Sequence, residues 1–159
     1  MTLGIECICQ REILDILIGD KKVYDMDGNE LSMKYLRGSD IFALFDVMGL
    51  ETDLQNGYSR WVVMDDFIKA SIKANCINAS LTYLFKNIDP SKVSYRNVDP
   101  KETMNHIIET ILNEINLYLI KCDVTIKLVQ GKIVVNEGSS PIIDSQLIEK
   151  KLTWITFVN

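Results

Sequence analysis

The sequence predicts a mainly α domain of the α+β class: a bundle of about five helices, a short hairpin near the N-terminus and an antiparallel β-hairpin near the C-terminus. Three observations support this prediction. Apolar residues recur at helical spacing through most of the chain before position 122. The period then changes from 3.6 to 2. The pair Asp27-Gly28, between short extended flanks, is typical of a hairpin with a two-residue turn.

Helical spacing in the first fifty residues predicts two helices on either side of this turn. The first covers 5–17 and ends at Gly19, a residue suited to the left-handed position after a helix. A short helical turn follows Met33. The next helix begins at Ser39, whose side chain can cap it, and ends at Gly49.

The middle of the chain predicts a helical hairpin, followed by the longest helix. Apolar positions at helical spacing cover 58–74, and Asn78 can cap a further helix after a turn at Asn75 and Cys76. The stripe over 101–121 is the most regular in the chain. Aromatic side chains concentrate in the helical hairpin, where this spacing is more typical of a core than of a binding cage.

Alternating residues near the C-terminus predict the β-hairpin. Apolar and polar residues alternate over 124–128, Gln130-Gly131 supplies a turn, and 132–136 pairs back. The final apolar run, 154–159, is expected to pack against this hairpin or against a further segment.

Length and composition indicate one globular domain and exclude several classes of protein. With 159 residues, 47% hydrophobic and 25% charged, we expect a single domain over 1–159 with its own core. We find neither an apolar run of about 18 residues nor the pattern of a signal peptide, so we expect no membrane association. The net charge of −5 disfavours a nucleic-acid partner.

The four cysteines do not suggest a disulfide framework. Cys7, Cys9, Cys76 and Cys122 contain no CxxC pair, and a chain of this size needs no covalent staple. We therefore expect all four to be reduced and the protein to be cytoplasmic.

The stretch VYDMDGNELS, 23–32, is the strongest candidate for catalysis. Asp25 and Asp27 have the spacing of the nucleophile and acid/base of a magnesium-dependent phosphatase of the haloacid dehalogenase type. However, Asn29 follows Gly28 where that motif usually has Thr or Val, and no alternation of strands and helices predicts a parallel sheet. We therefore predict a simple turn, with Gly28 at positive φ and both carboxylates solvated and free of metal. The phosphatase is the alternative.

The single histidine adds no catalytic or metal centre. His106 lies beside the apolar stripe of the longest predicted helix, with Glu102 and Glu109 within a turn. A zinc site needs further His or Cys ligands at suitable spacing, and HExxH does not occur. We predict no catalytic residue, no metal and no cofactor.

Five segments occur in the order of a known family. They are QREILDIL (10–17), MDGNELSMKYL (26–36), SRWVVMDDFIKASIKAN (59–75), LTYLFKN (81–87) and ILNEINLYLIKCDVTIKLVQGKIVV (111–135). This order resembles the N-terminal regions of AbiJ-type abortive-infection proteins, which are bacterial proteins of defence against phage. The positions that match that order are Arg11, Gly28, Tyr35, Leu36, Arg60, Ile115 and Asn116.

The resemblance implies an N-terminal sensing or interaction module of a longer, multidomain protein. Its partner is then another protein or the chain's own C-terminal effector domain, and the resemblance implies no catalytic residue. We therefore predict a non-enzymatic interaction or regulatory domain.

Arg11 and Arg60 are the two candidate binding residues, although each also fits a structural ion pair, Arg11 with Asp15 one turn on. A second alternative function is an oligomerisation module, which the run 154–159 suggests, so a homo-oligomer is also open.

Overall fold

A computed structural model describes residues 4–86, 88 and 99–138. Within these residues the chain forms five α-helices, two short 3-10 helices and one antiparallel two-stranded sheet. The elements are a 3-10 helix (Gly4–Cys9), α1 (Arg11–Leu17), α2 (Gly38–Met48), α3 (Arg60–Lys73), α4 (Ile77–Phe85), α5 (Pro100–Leu119), a second 3-10 helix (Ile120–Cys122), β1 (Val124–Val129) and β2 (Lys132–Glu137). The predicted mainly α class with a C-terminal β-hairpin is confirmed. The predicted run 154–159 lies outside the described residues.

The predicted first helix is two helices that meet at Gln10. Gln10 has extended backbone angles, φ −64° and ψ 143°. Its side-chain amide donates to the carbonyl oxygens of Cys7 and Tyr118, both at 3.0 Å. Because the apolar stripe continues across this break, periodicity alone could not detect it. Gly19 follows α1 at φ 82°, in the left-handed position predicted for it.

The short N-terminal hairpin is present, but its turn is longer than predicted. One β-bridge joins Tyr24 to Glu30. The amide of Asp25 donates to the carbonyl of Asn29 (3.0 Å), so three residues rather than two form the loop. Gly28 has the predicted positive φ, 85°, at the third loop position, as in hairpins that end with a left-handed residue.

Two predicted helix starts are also displaced. Residues 33–37, all described, form no helical turn. The amide of Arg37 donates to the Asp40 carboxylate (2.8 Å) at the start of α2, and the predicted capping residue Ser39 lies inside the helix. Asn78 likewise lies inside α4, which begins one residue earlier. The predicted helical hairpin of α3 and α4 is confirmed.

The core lies between the helices and the buried face of the β-hairpin, where α5 packs on β1, α4 packs on β2, and α3 packs on α1, α2 and α4. Phe45 of α2 meets Phe67 of α3 edge to face, with 5.3 Å between ring centroids. The largest fully buried side chains are Phe67, Ile8, Ile13, Leu14, Ile16, Leu17, Ile18, Leu31, Ile41, Met64, Ile68 and Leu81. Burying each such side chain contributes about 1.5–3 kcal/mol. In the described part of the chain, no helix combines the length and apolar content needed to cross a membrane.

The side chain of Asn116, on α5, binds the outer edge of β1. Its amide nitrogen donates to the Ile126 carbonyl (2.9 Å), and its oxygen accepts from the Ile126 amide (2.8 Å). The side chain thus satisfies both peptide groups that a neighbouring strand would bind.

The outer edge of β2 is bound by α4. Thr82 Oγ1 accepts from the Ile133 amide and Asn78 Oδ1 accepts from the Val135 amide, both at 2.9 Å. Helices therefore hold the hairpin from both sides.

Cys7 and Cys122 form a disulfide, so the expectation that all four cysteines are reduced is wrong for this pair. The bond joins the two 3-10 helices across 115 residues of sequence, with 6.4 Å between the Cα atoms. Cys9 and Cys76 are free, as expected. Sequence spacing could not reveal this pair, because only the packing of the two 3-10 helices against each other brings the cysteines together.

Replacing Asn116 by alanine should lower the free energy of unfolding by about 1–3 kcal/mol, because two Ile126 peptide groups lose their partner. Urea denaturation followed by circular dichroism measures the loss. Asn113→Ala is the matched control, since Asn113 is exposed on the same helix, and its effect should stay within about 0.5 kcal/mol. Equal losses in the two variants would contradict a role for the Asn116 amide.

Candidate functional site

The carboxylate of Asp25 holds its own loop together. Oδ1 accepts hydrogen bonds from the amides of Asp27 and Asn29, both at 2.9 Å, and Oδ2 accepts from Asn29 Nδ2 at 2.9 Å. The Asp25 side chain is 4% exposed. The prediction that this carboxylate is solvated is therefore wrong, whereas Asp27 is exposed as predicted. The sequence could not show that the carboxylate folds back onto the loop backbone.

His106 connects this loop to α5. Its Nε2 atom lies 3.5 Å from Asp25 Oδ2, and the imidazole is half-exposed. The sequence placed His106 beside Glu102 and Glu109 and missed Asp25, which lies 81 positions earlier in the chain.

The surroundings of Asp25 and Asp27 lack the constellation of a phosphatase in the part of the chain that is described. The one sheet found there is antiparallel and two-stranded. Among the same residues, no group of three or more His, Cys, Asp or Glu side chains is arranged to hold a metal ion. The nucleophile of an aspartyl-phosphate mechanism also needs an oxygen facing the substrate. Both oxygens of Asp25 instead accept hydrogen bonds within the loop.

We expect Asp25→Asn to lower the free energy of unfolding by about 1–3 kcal/mol. The side-chain NH2 of asparagine would replace a carboxylate oxygen that accepts hydrogen bonds from the loop. Asp27→Asn is the control and should change the free energy of unfolding by less than about 0.5 kcal/mol. Thermal unfolding compares the two. Magnesium-dependent hydrolysis of a phosphate ester that Asp25→Asn abolishes would contradict this assignment and establish a phosphatase.

The guanidinium of Arg60, in the first turn of α3, ties three points of the chain together. Nε donates to the Leu36 carbonyl (2.6 Å) and Nη2 to the Ile18 carbonyl (2.8 Å). Nη1 lies 2.7 and 2.9 Å from the two carboxylate oxygens of Asp20. The Arg60 side chain is 21% exposed. All three guanidinium nitrogens thus bind groups within this chain, so Arg60 holds Ile18, Asp20 and Leu36 in position.

Gly19 allows these points to meet. A Cβ at this position would lie 2.6 Å from the Lys34 carbonyl oxygen and 2.7 Å from Tyr35 Cα, and its φ of 82° also favours glycine. The close approach lets the Leu36 amide donate to the Ile18 carbonyl at 3.1 Å. The Tyr35 ring is thereby held under the Arg60 guanidinium, 4.0 Å from its central carbon.

Lys21 fixes the turn after α1 through a contact with Tyr118. Its ammonium donates to the Tyr118 hydroxyl and lies 4.5 Å from the centroid of that ring. The hydrogen bond to the Tyr118 hydroxyl raises the pKa of Lys21. The turn after α1 is thus fixed to α3 through Asp20 and to α5 through Lys21.

Arg11, on α1, makes the ion pair that its spacing predicted. Nε lies 3.0 Å from Asp15 Oδ1, and the Arg11 side chain is 55% exposed. Its guanidinium carbon also lies 4.3 Å from the centroid of the Trp61 ring. The ion pair with Asp15 is confirmed, and the contact with Trp61 was not predicted.

Both arginine–aromatic pairs form at the first turn of α3. Arg60 and Trp61 are consecutive in α3, so the pair Arg11–Trp61 lies within one helical turn of the pair Arg60–Tyr35. We call these four residues the Arg-aromatic face. Tyr35 is 57% exposed, the Arg11 side chain is 55% exposed and Trp61 is half-buried, so each pair has an exposed member.

The sequence missed the two aromatic members of this face. Helical spacing assigned Trp61 to the core, and Tyr35 was noted only for its place in the family order. An exposed arginine stacked on tryptophan depends on a contact between residues 50 positions apart, which no local pattern encodes.

No protein-family model, curated protein or solved structure matches this chain.

Arg60→Lys should lower the free energy of unfolding by about 1.5–3 kcal/mol, because a single ammonium cannot bind three separate acceptors. Arg11→Lys is the matched control. Its exposed pair with Asp15 predicts a loss below about 1 kcal/mol. Chemical denaturation measures both. If Arg11→Lys costs as much as Arg60→Lys, Arg60 does not hold the segment as described.

Proposed function

We propose that this chain is a non-enzymatic interaction domain that binds a protein partner through the Arg-aromatic face. The observation that carries the proposal is the arrangement of two arginine–aromatic pairs within one turn of α3, with Arg11 and Tyr35 more than half exposed. Tryptophan, tyrosine and arginine are the residues most enriched among those that dominate binding energy at protein interfaces.

The rigidity of this face supports the proposal. Arg60 and Gly19 fix the backbone beside Tyr35 before any partner arrives. Binding then orders fewer side chains, which lowers the entropic cost of association. Arg60 serves this purpose as a positioning residue, and Arg11 is the arginine available to a partner.

The charge of the face favours a protein partner over a nucleic acid. Arg11 is paired with Asp15 and Arg60 with Asp20. The face therefore has no excess of positive charge, and the whole chain has a net charge of −5. A phosphate backbone requires clustered, unpaired lysine and arginine.

The resemblance to AbiJ-type proteins suggests the biological setting. We propose that the domain is the N-terminal sensing module of a phage-defence protein, in which the partner is a phage protein or the protein's own C-terminal effector domain. In this setting a change in occupancy of the Arg-aromatic face transmits the signal.

A photo-cross-linking amino acid in place of Tyr35, expressed in the native host with and without phage infection, tests this proposal. We expect a discrete product from the Tyr35 position that Arg11→Gln weakens, while the thermal midpoint falls only slightly because the exposed pair with Asp15 contributes little stability. Val129, 45% exposed on β1, is the control position and should give no such product. Mass spectrometry then identifies the captured protein.

Three results would overturn the proposal or its setting. Equal cross-linking from both positions would remove the Arg-aromatic face as a specific surface. A product of twice the 18.1 kDa chain mass would replace the proposed partner by a second copy of the chain. A partner that is neither a phage protein nor an effector domain would exclude the phage-defence setting alone.

A further inference from the structure

The Cys7–Cys122 disulfide covalently links the N-terminal 3-10 helix to the second 3-10 helix, which follows α5. Both cysteines are buried, and Ile8 beside Cys7 is completely buried. Detachment of the N-terminal segment would therefore expose apolar surface. No step of the proposed interaction uses this pair.

The N-terminal 3-10 helix and the residue after it also make polar contacts. The Ile5 amide donates to Glu137 Oε2 at 3.1 Å, in an exposed position. Gln10 Nε2 donates to the carbonyls of Cys7 and Tyr118. Without the disulfide, docking of this segment depends on non-covalent contacts, which include these hydrogen bonds and the burial of apolar side chains such as Ile8.

Cys9 lies two residues from the disulfide but cannot exchange with it at neutral pH. Burial, followed by the nearby Asp65 carboxylate, raises the pKa of Cys9 to about 12. Only a thiolate attacks a disulfide, so Cys9 is inert as a resolving thiol. The pair is therefore protected from shuffling with its nearest free cysteine.

We infer that Cys7 and Cys122 form a reversible redox site that controls docking of the N-terminal 3-10 helix beside α3. Local opening of the N-terminal segment exposes the buried bond. A dithiol reductant then breaks it, gives its two protons to Cys7 and Cys122, and becomes a disulfide itself. Two electrons pass from the dithiol to the cysteine pair. A disulfide oxidant reverses the reaction.

This site regulates the Arg-aromatic face through the chain itself. The N-terminal 3-10 helix packs on α3 and is followed at once by Gln10 and Arg11. Release of the helix frees the segment that places Arg11 over Trp61. This consequence rests on the proposed function, whereas the redox site itself does not.

Hydrogen exchange measured by mass spectrometry on the oxidised and dithiothreitol-reduced full chain tests the site. Local opening of a released segment raises its exchange rate by orders of magnitude. We expect exchange over residues 5–10 to rise at least about tenfold on reduction, while β2 changes less than about twofold. Oxidised glutathione should restore the slow exchange.

Cysteine variants provide the matched controls. Cys7→Ser should exchange like the reduced protein under oxidising conditions, whereas Cys9→Ser should respond to reduction like the wild type. Identical exchange in the two redox states would overturn the inference. Unfolding of the whole chain on reduction would also overturn it, because the bond would then be a permanent staple.

Trp61 emission in a Trp154→Phe background tests the coupling separately. Reduction should change this emission, and Arg11→Gln should remove the response because no guanidinium then lies over the ring. A change in exchange without a change in emission would overturn the coupling but leave the redox site. None of these readouts requires the proposed partner. Failure of the redox inference can therefore be distinguished from failure of the proposed function.

Discussion

The Arg60 guanidinium is the interaction on which the N-terminal half of the structure depends. It binds backbone carbonyls after α1 and before α2, and it pairs with Asp20 between them. The Ile18 carbonyl also accepts a hydrogen bond from the Leu36 amide, so these two segments lie side by side at this point. The Arg60 guanidinium donates to both carbonyls from α3, and its charge-assisted bonds are stronger than neutral ones. The packing of α1, the Tyr35 segment and α3 follows from this contact.

Elements defined by local patterns could be predicted from the sequence. The apolar stripe over α5 predicts that helix directly. Gln130-Gly131 predicts the turn of the β-hairpin, and in the structure both residues have positive φ, 51° and 78°. The break at Gln10 could not be predicted. Its amide binds Tyr118, 108 positions away, and this distant acceptor decides a local backbone choice.

The candidate site also combines contacts that could be predicted from the sequence with contacts that could not. The Arg11–Asp15 pair follows from helical spacing, because residues four apart meet on a helix. Arg60 and Asp20, 40 positions apart, meet only in the folded chain. Asp25 was misjudged for a related reason, since its carboxylate binds backbone amides that have no signature in the residue types.

The side chains that hold the β-hairpin have a consequence for how this protein behaves at high concentration. An isolated two-stranded sheet presents two rows of open peptide groups, each able to recruit a strand from another chain and begin cross-β aggregation. Here Asn116 occupies one row at Ile126, and Thr82 and Asn78 occupy the other. The helices therefore shield the hairpin from becoming a template for fibrils.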